Sequence, residues 1–471
     1  MSSATMTTVI FEQHYLDCLS QASYLIGDPT SGRAVVVDPR RDIGDYLASA
    51  AEHGLEIVMV IETHFHADFL SGHLELAAAT GAEIAYGEAA EAEFPHRKLR
   101  HRERITLGEV VLEIRHTPGH TPESISIVVW EHPEDADDPE GVPYGVLTGD
   151  TLFIGDVGRP DLLASVGVTA QELATHLYTS LHEELLTLPD ATRVFPGHGA
   201  GSACGKSLST ETVSTIGEQR ASNYALADMS PEQFLDVVTE GQPAAPGYFL
   251  HDAVLNRKLR ELHTEGVGSE PLDYGRFAEL RDGDALVIDT RDASSFAAGH
   301  LRRSVNIALD GRFAEYAGSV ARPGDRIVLV SDPGTEIEAR TRLARIGFDN
   351  VVGHLEDPYA VMATHPDDVD RASRLTAEEF TGRRRAIPAL VVIDVRNPGE
   401  TEAGTLEGAH VVPVARLRDE IDNLAGHRDR PVVALCAGGY RSSIAASLLR
   451  AHGFTDVSDV LGGYSALNAP A

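Results

Sequence analysis

The stretch Leu55–Phe69, LEIVMVIETHFHADF, decides the fold of the first half of the chain. Its apolar, β-branched beginning predicts a buried strand, which runs directly into an H-x-H-x-D cluster formed by His64, His66 and Asp68. Short apolar runs alternate with helical stretches on both sides of this segment. The pattern therefore predicts an α/β domain whose functional groups lie where its strands end.

Further candidate ligands follow later strands of the same region. His120 ends the segment TPGH, Asp150 ends LTGD and His198 ends FPGH, each after an apolar run. Imidazole and carboxylate groups gathered in this way can hold a divalent metal, and their chemistry suits zinc or iron. Because the chain has 21 histidines, one of them alone would indicate little. The ordered set predicts a metal centre.

These motifs resemble the metallo-β-lactamase superfamily, which implies an αββα sandwich with a metal site on loops at one edge. Members with two metals carry H-x-H-x-D-H, but here Phe69 occupies the last position, and a phenyl ring cannot coordinate a metal. The sequence looks most like the persulfide dioxygenase branch. That resemblance implies one Fe(II) per chain, held by His64, His120 and Asp150. Two histidines and a carboxylate form the facial triad of Fe(II) oxygenases, which leaves positions open for substrate and O₂.

Residues around this triad are expected to orient the ligands or to bind the substrate; they are His66, Asp68, Arg159, His198, Cys204 and Lys206. Arg159 would either bind an anionic thiol substrate or pair with Asp156 or Asp161. Cys204 would be either a sulfur-accepting or redox thiol at the pocket mouth or a buried small side chain. In the first case Lys206 would favour the thiolate of Cys204 or contact the substrate.

An internal repeat occupies the C-terminal part of the chain. Val287–Arg291 recurs as Val392–Arg396, and Gly299–Leu301 recurs as Gly404–Leu406, both at an offset of 105 residues. A shared offset indicates two tandem α/β domains of about 100 residues, each with parallel strands and crossover helices. The whole chain is thus predicted to have three domains, with boundaries at residues 1–265, 266–371 and 372–471.

The second repeat carries a cysteine at the end of a strand. The run RPVVALC ends in Cys436, and the loop CAGGYR then opens onto a helix. Backbone N–H groups of the loop, the helix N-terminus and Arg441 can hold a thiolate charge, which favours a nucleophile. With the upstream VIDVR block, this segment resembles a rhodanese domain, and the resemblance implies that Cys436 carries a persulfide. The other loop residues are Ala437, Gly438, Gly439 and Tyr440.

The first repeat reaches the corresponding place with the segment VLVSDPGTE, where Ser331 and Asp332 stand near the cysteine position. No cysteine occurs between Cys204 and Cys436. Without a thiol this copy cannot form a persulfide. It is therefore expected to be catalytically inactive and to act as a scaffold or interface.

Composition limits the partners and the compartment. The chain has 471 residues and a formal net charge of −33, which repels phosphate backbones and anionic membranes, so neither nucleic acid nor a membrane is an expected partner. Three cysteines are too few for a disulfide framework and indicate a reducing compartment. With no signal-like start, a cytoplasmic enzyme is expected. A homo-oligomer, a dimer or a tetramer, is also expected.

Three functions are consistent with these features. The first is Fe(II)-dependent oxidation of a low-molecular-weight thiol persulfide, of glutathione or another thiol, by O₂ to sulfite and thiol. It would be coupled to rhodanese sulfur transfer between thiosulfate and thiol or persulfide through Cys436. The second is a zinc-dependent, glyoxalase II-like thioester hydrolase with an attached sulfurtransferase, which Phe69 disfavours. The third is a sulfur carrier or redox sensor with an inactive metal domain, which the complete triad disfavours.

Overall fold

The structure, a computed structural model, describes residues 9–162 and 168–468. Contacts divide the chain into two compact units, one of Met1–Gln242 with Phe249–Glu265 and one of Pro243–Tyr248 with Gly266–Ala471. In the described ranges no helix is long and apolar enough to cross a membrane. Pro243–Tyr248 thus belong to the unit that begins again at Gly266, and the predicted domain boundaries at residues 265 and 371 stay predictions.

Two six-stranded sheets form the centre of the first unit. The strands of the first sheet are β1 (Ile10–Leu16), β2 (Gln21–Asp28), β3 (Arg33–Val37), β4 (Glu56–Ile61), β5 (Glu83–Gly87) and β6 (Arg97–Leu99). They lie in chain order, antiparallel from β1 to β3 and parallel from β3 to β6.

The second sheet is mostly antiparallel. Its strands are β7 (Arg104–Thr106), β8 (Val111–His116), β9 (Ile125–Trp130), β10 (Gly145–Gly149), β11 (Arg193–Pro196) and β12 (Ser214–Thr215). The order is β12–β11–β10–β9–β8–β7, in which only the β10–β11 pair is parallel.

Helices cover the outer faces of both sheets. They are α1 (Gly44–Glu52), α2 (His73–Thr80), α3 (Pro133–Asp137), α4 (Ala170–Thr179), α5 (Ile216–Ser222), α6 (Pro231–Thr239) and α7 (Phe249–Leu255). A π-helical turn at Ser180–Leu185 continues α4. Helix α4 begins with a capping box, in which Thr169 and Glu172 satisfy backbone N–H groups at the helix start.

The alternation of side chains along β3 explains the layers. Val35 and Val37 point between the two sheets, where they join a core that includes Ile127. Val36 points to the other face and packs with Tyr46 of α1. Helices α4 and α6 pack in the same way on the outer face of the second sheet. Because parallel strands are covered on both faces, they appear in the sequence as continuous apolar runs. The predicted αββα sandwich is confirmed.

The second unit contains two parallel five-stranded sheets. Strands of the first repeat are β13 (Pro271–Leu272), β14 (Leu286–Asp289), β15 (His300–Leu301), β16 (Val305–Asn306), β17 (Ile327–Val330), β18 (Val351–Leu355) and β19 (Val369–Asp370). Those of the second repeat are β20 (Ser373–Leu375), β21 (Val391–Asp394), β22 (His410–Val411), β23 (Pro431–Leu435) and β24 (Asp456–Val460). The sheet orders are β13–β18–β17–β14–β16 and β20–β24–β23–β21–β22, while β15 pairs separately with β19.

The two sheets of this unit have the same topology, which confirms the predicted parallel-sheet α/β repeats. Crossover helices of the first repeat are α8 (Tyr274–Asp282), α9 (Ala293–Ala298), α10 (Phe313–Val320), α11 (Glu336–Ala344) and α12 (Pro358–Thr364). Those of the second are α13 (Ala377–Ala386), α14 (Pro398–Glu402), α15 (Val414–Glu420), α16 (Tyr440–Ala451) and α17 (Gly463–Leu467). The predicted cysteine follows β23 directly and lies just before α16.

Candidate metal centre and sulfur-transfer loop

The strands of the first unit bring the predicted triad together. His64 follows the end of β4, His120 lies in the connection from β8 to β9, and Asp150 directly follows β10. All three side chains are buried. The Nε2 atoms of His64 and His120 lie 3.9 Å and 3.5 Å from Oδ2 of Asp150. One ligand atom from each residue thus falls within 4.8 Å of the other two.

The surroundings of the Asp150 carboxylate indicate whether these three residues can bind a metal. Its Oδ2 is buried and accepts no hydrogen bond from any residue that the structure describes. A buried carboxylate oxygen without a donor is unfavourable. A cation placed between this oxygen and the two imidazoles would remove that cost, so the donor set fits a divalent metal.

Hydrogen bonds fix the orientation of both histidines. The hydroxyl of Thr63 donates to Asp38 at 2.8 Å and lies 2.9 Å from Nδ1 of His64, so it accepts from that nitrogen. Nδ1 of His120 lies 2.9 Å from the backbone carbonyl oxygen of Arg159, which can only accept. Both Nδ1 atoms therefore carry the proton, and both Nε2 lone pairs are free for a metal.

The electrostatics of the triad favour the metal-binding protonation states. Burial, together with the neighbouring His66, lowers the pKa of His64 well below its ordinary value. Burial alone would raise the pKa of Asp150, but the charge of His198 and its hydrogen bond hold that pKa well below the usual range. A neutral imidazole and an ionised carboxylate are the forms that bind metals.

His66 lies beside the triad but belongs to a different group. Its ring centroid is 4.0 Å from that of His64, yet its Nε2 lies 3.0 Å from Oδ1 of Asp38 and 3.5 Å from Oε2 of Glu62. Burial alone would lower the pKa of His66, but the charge of Asp38 and hydrogen bonds to both carboxylates raise it to about 10. The imidazole faces these two carboxylates, and Asp38, Glu62 and His66 form a second group of possible ligand atoms beside the triad.

Asp68 and His198 form a chain that ends at the triad. His198 lies between two carboxylates, with Nδ1 2.8 Å from Oδ1 of Asp150 and Nε2 2.7 Å from Oδ2 of Asp68. Burial alone would lower the pKa of His198, but the charges of Asp150 and Asp68 raise it well above its ordinary value. The buried ring of Phe69 packs on His66, with 4.3 Å between centroids. This position supplies an apolar wall in place of a ligand.

The cysteine loop in the second unit is held by its own backbone. Cys436 is buried, and its Sγ accepts a hydrogen bond from the N–H of Gly439 at 3.0 Å. The φ angle of Gly439 is 101°, a left-handed conformation that favours glycine. Sγ lies 3.5 Å from the hydroxyl of Ser442 in the first turn of α16. The helix N-terminus adds a favourable field for a thiolate at this place.

Comparisons with known proteins agree with this geometry. A model described as "Metallo-beta-lactamase superfamily" matches residues 16–198, and one described as "Rhodanese-like domain" matches residues 276–360 and 376–470. The chain is 30% identical over 220 residues to "Persulfide dioxygenase ETHE1, mitochondrial" of Bos taurus, which covers 46% of this chain and 75% of the relative. The chain belongs to the metallo-β-lactamase superfamily and carries two rhodanese-like domains.

Two further relatives bear on the function of the metallo-β-lactamase domain. The crystal structure of a metallo-beta-lactamase from Staphylococcus aureus subsp. aureus COL is 34% identical, with a TM-score of 0.66, and covers 74% of this chain and 100% of that chain. A protein named "Hydroxyacylglutathione hydrolase" from Polaromonas sp. (strain JS666) is 33% identical over 179 residues, which are 37% of this chain and 61% of that relative. Relatives named for different reactions therefore share this domain.

Arg159 in the metallo-β-lactamase domain pairs with Asp161. Its Nε and Nη2 donate to the two carboxylate oxygens of Asp161 at 2.7 Å each, and Nη1 donates to the carbonyl oxygen of Ala203 at 3.2 Å. Of the two predicted roles, the structure therefore supports the ion pair, and the partner is Asp161 instead of Asp156. Arg159 also has a structural role that the sequence did not indicate. Its backbone carbonyl oxygen accepts a hydrogen bond from His120 and so orients that ring.

Cys204 and Lys206 do not form the predicted pair. Cys204 is buried within reach of Asp68 and His198, and burial raises the pKa of its thiol well above the ordinary value. The ammonium group of Lys206 donates instead to the backbone carbonyls of Val237 and Glu240, at 2.5 Å and 2.7 Å. Lys206 therefore does not pair with Cys204, because its side chain joins α6 to the loop, and its contact with the substrate stays a prediction.

Asn256 is a residue of the site that the sequence did not reveal. It is fully buried just after α7, and its amide donates to the carbonyl oxygens of His66 and Phe69 at 2.8 Å and 2.9 Å. Its Oδ1 accepts from the N–H of Ser71 at 2.9 Å. One side chain, about 190 residues away in sequence, thus holds the H-x-H-x-D loop. An isolated asparagine in a polar helical segment gives no sequence signal for this role.

Arg441 in the second rhodanese-like domain is bound to Glu400. Its two terminal nitrogens donate to the two carboxylate oxygens at 2.6 Å and 2.7 Å. Burial alone would lower the pKa of Arg441, but this pairing raises it. Among the described residues, the N–H of Gly439 donates a hydrogen bond to the sulfur of Cys436, whereas no N–H of Arg441 does. Arg441 is thus bound to Glu400, and its predicted effect on the thiolate charge would act on Cys436 without a hydrogen bond.

Other loop residues connect the second rhodanese-like domain to the first. The hydroxyl of Tyr440 donates to the carbonyl oxygens of Ala308 and Asp310 at 2.7 Å and 3.2 Å. Ser331 stands in the first repeat at the position where the second repeat has its cysteine loop. Its hydroxyl accepts a hydrogen bond from the hydroxyl of Thr290. Ala437 and Gly438 continue the loop between Cys436 and Gly439. The repeat without a thiol thus holds one end of the cysteine loop.

Proposed function

We propose that the metallo-β-lactamase domain oxidises the persulfide of a low-molecular-weight thiol with O₂. The balanced reaction converts RSSH, O₂ and H₂O into RSH and sulfurous acid, which ionises to sulfite. The metal would be one Fe(II) per chain, held by His64, His120 and Asp150. Iron supplies redox chemistry that activates O₂ next to the terminal sulfur.

One observation supports this proposal above the others. The three atoms of the triad converge on one point, while His66 is held by Asp38 and position 69 is a phenylalanine. A mononuclear centre with two histidines and one carboxylate leaves room for both a substrate and O₂. The 30% identical relative named as a persulfide dioxygenase supports the same reaction.

The residues of this chain prepare the site in three ways. Thr63 and the carbonyl of Arg159 keep the Nε2 lone pairs of the two histidines directed inward. His198 binds the oxygen of Asp150 that does not face the histidines, so that Oδ2 remains available. Phe69 places its apolar ring on His66, which lies beside His64. An apolar wall limits hydrolysis and proton leakage during an oxidation.

We also propose that Cys436 transfers sulfane sulfur between thiosulfate and a thiol or persulfide. In the direction that consumes sulfite, the Cys436 thiolate first attacks the terminal sulfur of RSSH, whose S–S bond breaks to release RSH. The terminal sulfur of the resulting Cys436 persulfide then bonds to sulfite. The S–S bond breaks, the Cys436 thiolate leaves, and thiosulfate forms. The N–H of Gly439 and the N-terminus of α16 stabilise the thiolate in this step. The first rhodanese-like domain, which has no cysteine, would support the loop through Tyr440.

The test uses metal-analysed protein and glutathione persulfide. O₂ consumption, sulfite and thiosulfate are measured for the wild type, His120→Ala and Cys436→Ser. Loss of O₂ uptake in His120→Ala and loss of thiosulfate sulfurtransfer in Cys436→Ser are expected. Full O₂ uptake in His120→Ala would contradict the iron site, and intact sulfurtransfer in Cys436→Ser would contradict the second assignment.

A second candidate is zinc-dependent thioester hydrolysis, since a relative named as a hydroxyacylglutathione hydrolase is 33% identical. Asp68 of the H-x-H-x-D-H motif of two-metal members is present, but Phe69 stands in place of the last histidine and cannot complete such a site. Turnover of S-lactoylglutathione without O₂, together with two metals per chain, would favour the hydrolase. Absence of that turnover in protein that consumes O₂ with persulfide would exclude it.

A further inference from the structure

A cavity of about 480 Å³ lies in the second rhodanese-like domain, between helices α13 and α17. Helix α13 contributes Phe380, Thr381, Arg384 and Arg385 to its walls, and the end of α17 contributes Leu467. A second cavity of about 400 Å³ shares Thr381, Arg385 and Leu467 with the first, so the two adjoin. Both volumes fall in the range of about 300 to 1,000 Å³ that is typical of small-molecule sites. We call the pair the α13–α17 cavity.

The floor of this cavity is apolar. Phe380 is buried, whereas Leu406 and Leu467 are half-buried and pack against the same core. Both leucines therefore expose part of their side chains to the cavity. An apolar floor favours a ligand that carries an apolar or aromatic body, because contact between the two removes both surfaces from water.

Two arginines give the cavity a positive charge. Of the three consecutive arginines near the end of α13, Arg383 pairs with Asp456, with 2.6 Å between Nη2 and Oδ1. Arg384 donates to the backbone carbonyl oxygen of Glu407 at 2.6 Å. Within the described ranges no carboxylate oxygen lies within 4.0 Å of the guanidinium group of Arg384 or Arg385. In a chain where acidic residues outnumber basic ones by 72 to 39, these two cations are therefore available to an anionic ligand.

The two guanidinium groups indicate which anion the cavity suits. A guanidinium group can donate two parallel hydrogen bonds to a phosphate, and two such groups match a phosphate that carries two charges. The acidic wall residue Glu378 lies in the adjoining cavity, where its carboxylate repels a phosphate but accepts hydrogen bonds from hydroxyl or amino groups. The charges therefore favour a phosphate at Arg384 and Arg385 and a donor-bearing body towards Glu378.

Helix α17 connects this cavity with the cysteine loop. The backbone N–H groups of Tyr464 and Ser465 donate to the carbonyl oxygens of Cys436 and Ala437, at 2.7 Å and 3.1 Å. Leu467, two residues after Ser465, lines the cavity. A ligand that packs on Leu467 thus contacts the same short helix that holds the loop.

We propose that the α13–α17 cavity binds an organic phosphate of nucleotide size and that this ligand restrains the cysteine loop through α17. The phosphate lies at Arg384 and Arg385, and the body packs on Leu406 and Leu467. Neither cavity has Cys436 among its described wall residues, so the ligand takes no part in sulfur transfer itself. Because Cys436 is buried, reagents reach it when the loop opens, and a restraint on α17 makes that opening less frequent.

The first test measures binding without turnover. Isothermal titration of the full-length protein with ADP is compared with titrations with inorganic pyrophosphate and with adenosine, each of which supplies one part of the proposed ligand. The double variant Arg384→Gln/Arg385→Gln should weaken ADP binding by roughly tenfold or more, because charge-assisted hydrogen bonds are lost. Arg371→Gln, at an exposed position outside the cavity, should bind ADP as the wild type does.

Three binding results would overturn the proposal. They are the absence of ADP binding, equal ADP affinity in the wild type and the double variant, and a pyrophosphate or adenosine affinity equal to that of ADP. The last result would show that the ligand needs only the arginines or only the apolar floor. Both substituted arginines lie at the surface end of α13, so the double variant is expected to fold.

The second test follows the cysteine loop. Alkylation of Cys436 by iodoacetamide, read from the Cys436 peptide by mass spectrometry, should slow by about twofold or more when ADP saturates the wild type, because loop opening becomes less frequent. The same ADP concentration should leave the rate unchanged in the double variant. An unchanged rate in the ADP-bound wild type would overturn the restraint through α17. Neither measurement uses turnover, so failure of either proposed reaction would not affect these results.

Discussion

Nε2 of His66 lies 3.0 Å from Oδ1 of Asp38 in a fully buried pair next to the triad. The same carboxylate accepts the N–H of Thr63 at 2.7 Å and its hydroxyl at 2.8 Å, and that hydroxyl in turn contacts His64. Asp38 therefore holds the first histidine of the H-x-H-x-D motif through Thr63 and contacts the second directly. His64, His66 and Asp68 of the H-x-H-x-D motif therefore belong to three different side-chain groups.

The pair of Asp38 and His66 should be important for stability. Asp38→Asn removes the charge that compensates the buried imidazolium, and breaking a buried pair typically costs about 3 to 5 kcal/mol. The free energy of unfolding, measured in guanidinium chloride, should fall by an amount of this order, and the metal content should fall as well. Glu12→Gln, which removes a carboxylate from an exposed pair with His53, serves as the control and should lose less than about 1 kcal/mol. Equal losses in both variants would contradict the importance of the buried pair.

Metal content should follow the triad. His64→Gln, His120→Gln and Asp150→Asn should each purify with far less iron than the wild type, because each removes one of three ligands. His132→Gln, which changes a partly exposed histidine paired with Glu109, should retain the full amount. Chelation of the wild type should lower its Tm, since a bound metal stabilises the folded state by mass action. Elemental analysis and thermal denaturation measure both effects, and normal iron content in two of the three triad variants would disprove the assignment.

Stability of the first unit should depend on Glu75 at acidic pH. Burial alone would raise the pKa of Glu75, but hydrogen bonding and charge from Arg260, with Arg41 nearby, lower it from 4.5 to about 2. Because the folded-state pKa is depressed, its stabilisation is complete above pH 4.5 and is lost as the pH falls towards 2. The difference between the two pKa values of Glu75 corresponds to about 3 kcal/mol of folding stability. As the pH falls from 7 to 3, the free energies of unfolding of the wild type and Glu75→Gln should converge. The free energy of unfolding of Glu88→Gln, a change at an exposed position, should follow that of the wild type.

Reactivity of Cys436 should depend on the pairing of Arg441 with Glu400. Glu400→Gln leaves the guanidinium charge uncompensated, so that it attracts negative charge on the Cys436 sulfur more strongly, which should speed alkylation of Cys436 by iodoacetamide at neutral pH. Arg441→Gln should slow alkylation, because the positive charge is lost. Rates are read for the Cys436 peptide by mass spectrometry, with the exposed Glu402→Gln of the same helix as the control. The same alkylation rate in Glu400→Gln and Glu402→Gln would contradict this coupling.

Much of the fold could be predicted because the relevant signals are local. Apolar runs such as residues 55–62 indicate buried strands, and the offset of 105 residues reveals two related domains without any contact information. The larger set of candidate ligands could be predicted for a similar reason, because groups that follow neighbouring strands meet at one edge. The choice of His64, His120 and Asp150 within that set came from the resemblance to the persulfide dioxygenase branch. The spacing of Cys436 from the start of α16 likewise follows from local chain geometry.

Other features of the site could not be predicted, since they depend on partners that are distant in sequence. Lys206 stands two residues from Cys204, yet its ammonium group reaches the carbonyls at the end of α6. Arg441 stands five residues after Cys436, yet Glu400 binds its guanidinium group. In both cases a charged side chain close to a thiol in sequence is bound by acceptors that are distant in sequence.

The sequence by itself determined the αββα and parallel-sheet fold classes, the set of candidate ligands and the cysteine that follows β23. Only the tertiary structure decided how these groups divide: His64 with His120 and Asp150, His66 with Asp38 and Glu62, and Asp68 with His198. The physical reason is that residue type and periodicity specify which groups reach a strand end. Which groups then pair is set by burial, where each charge must find a partner because water is excluded.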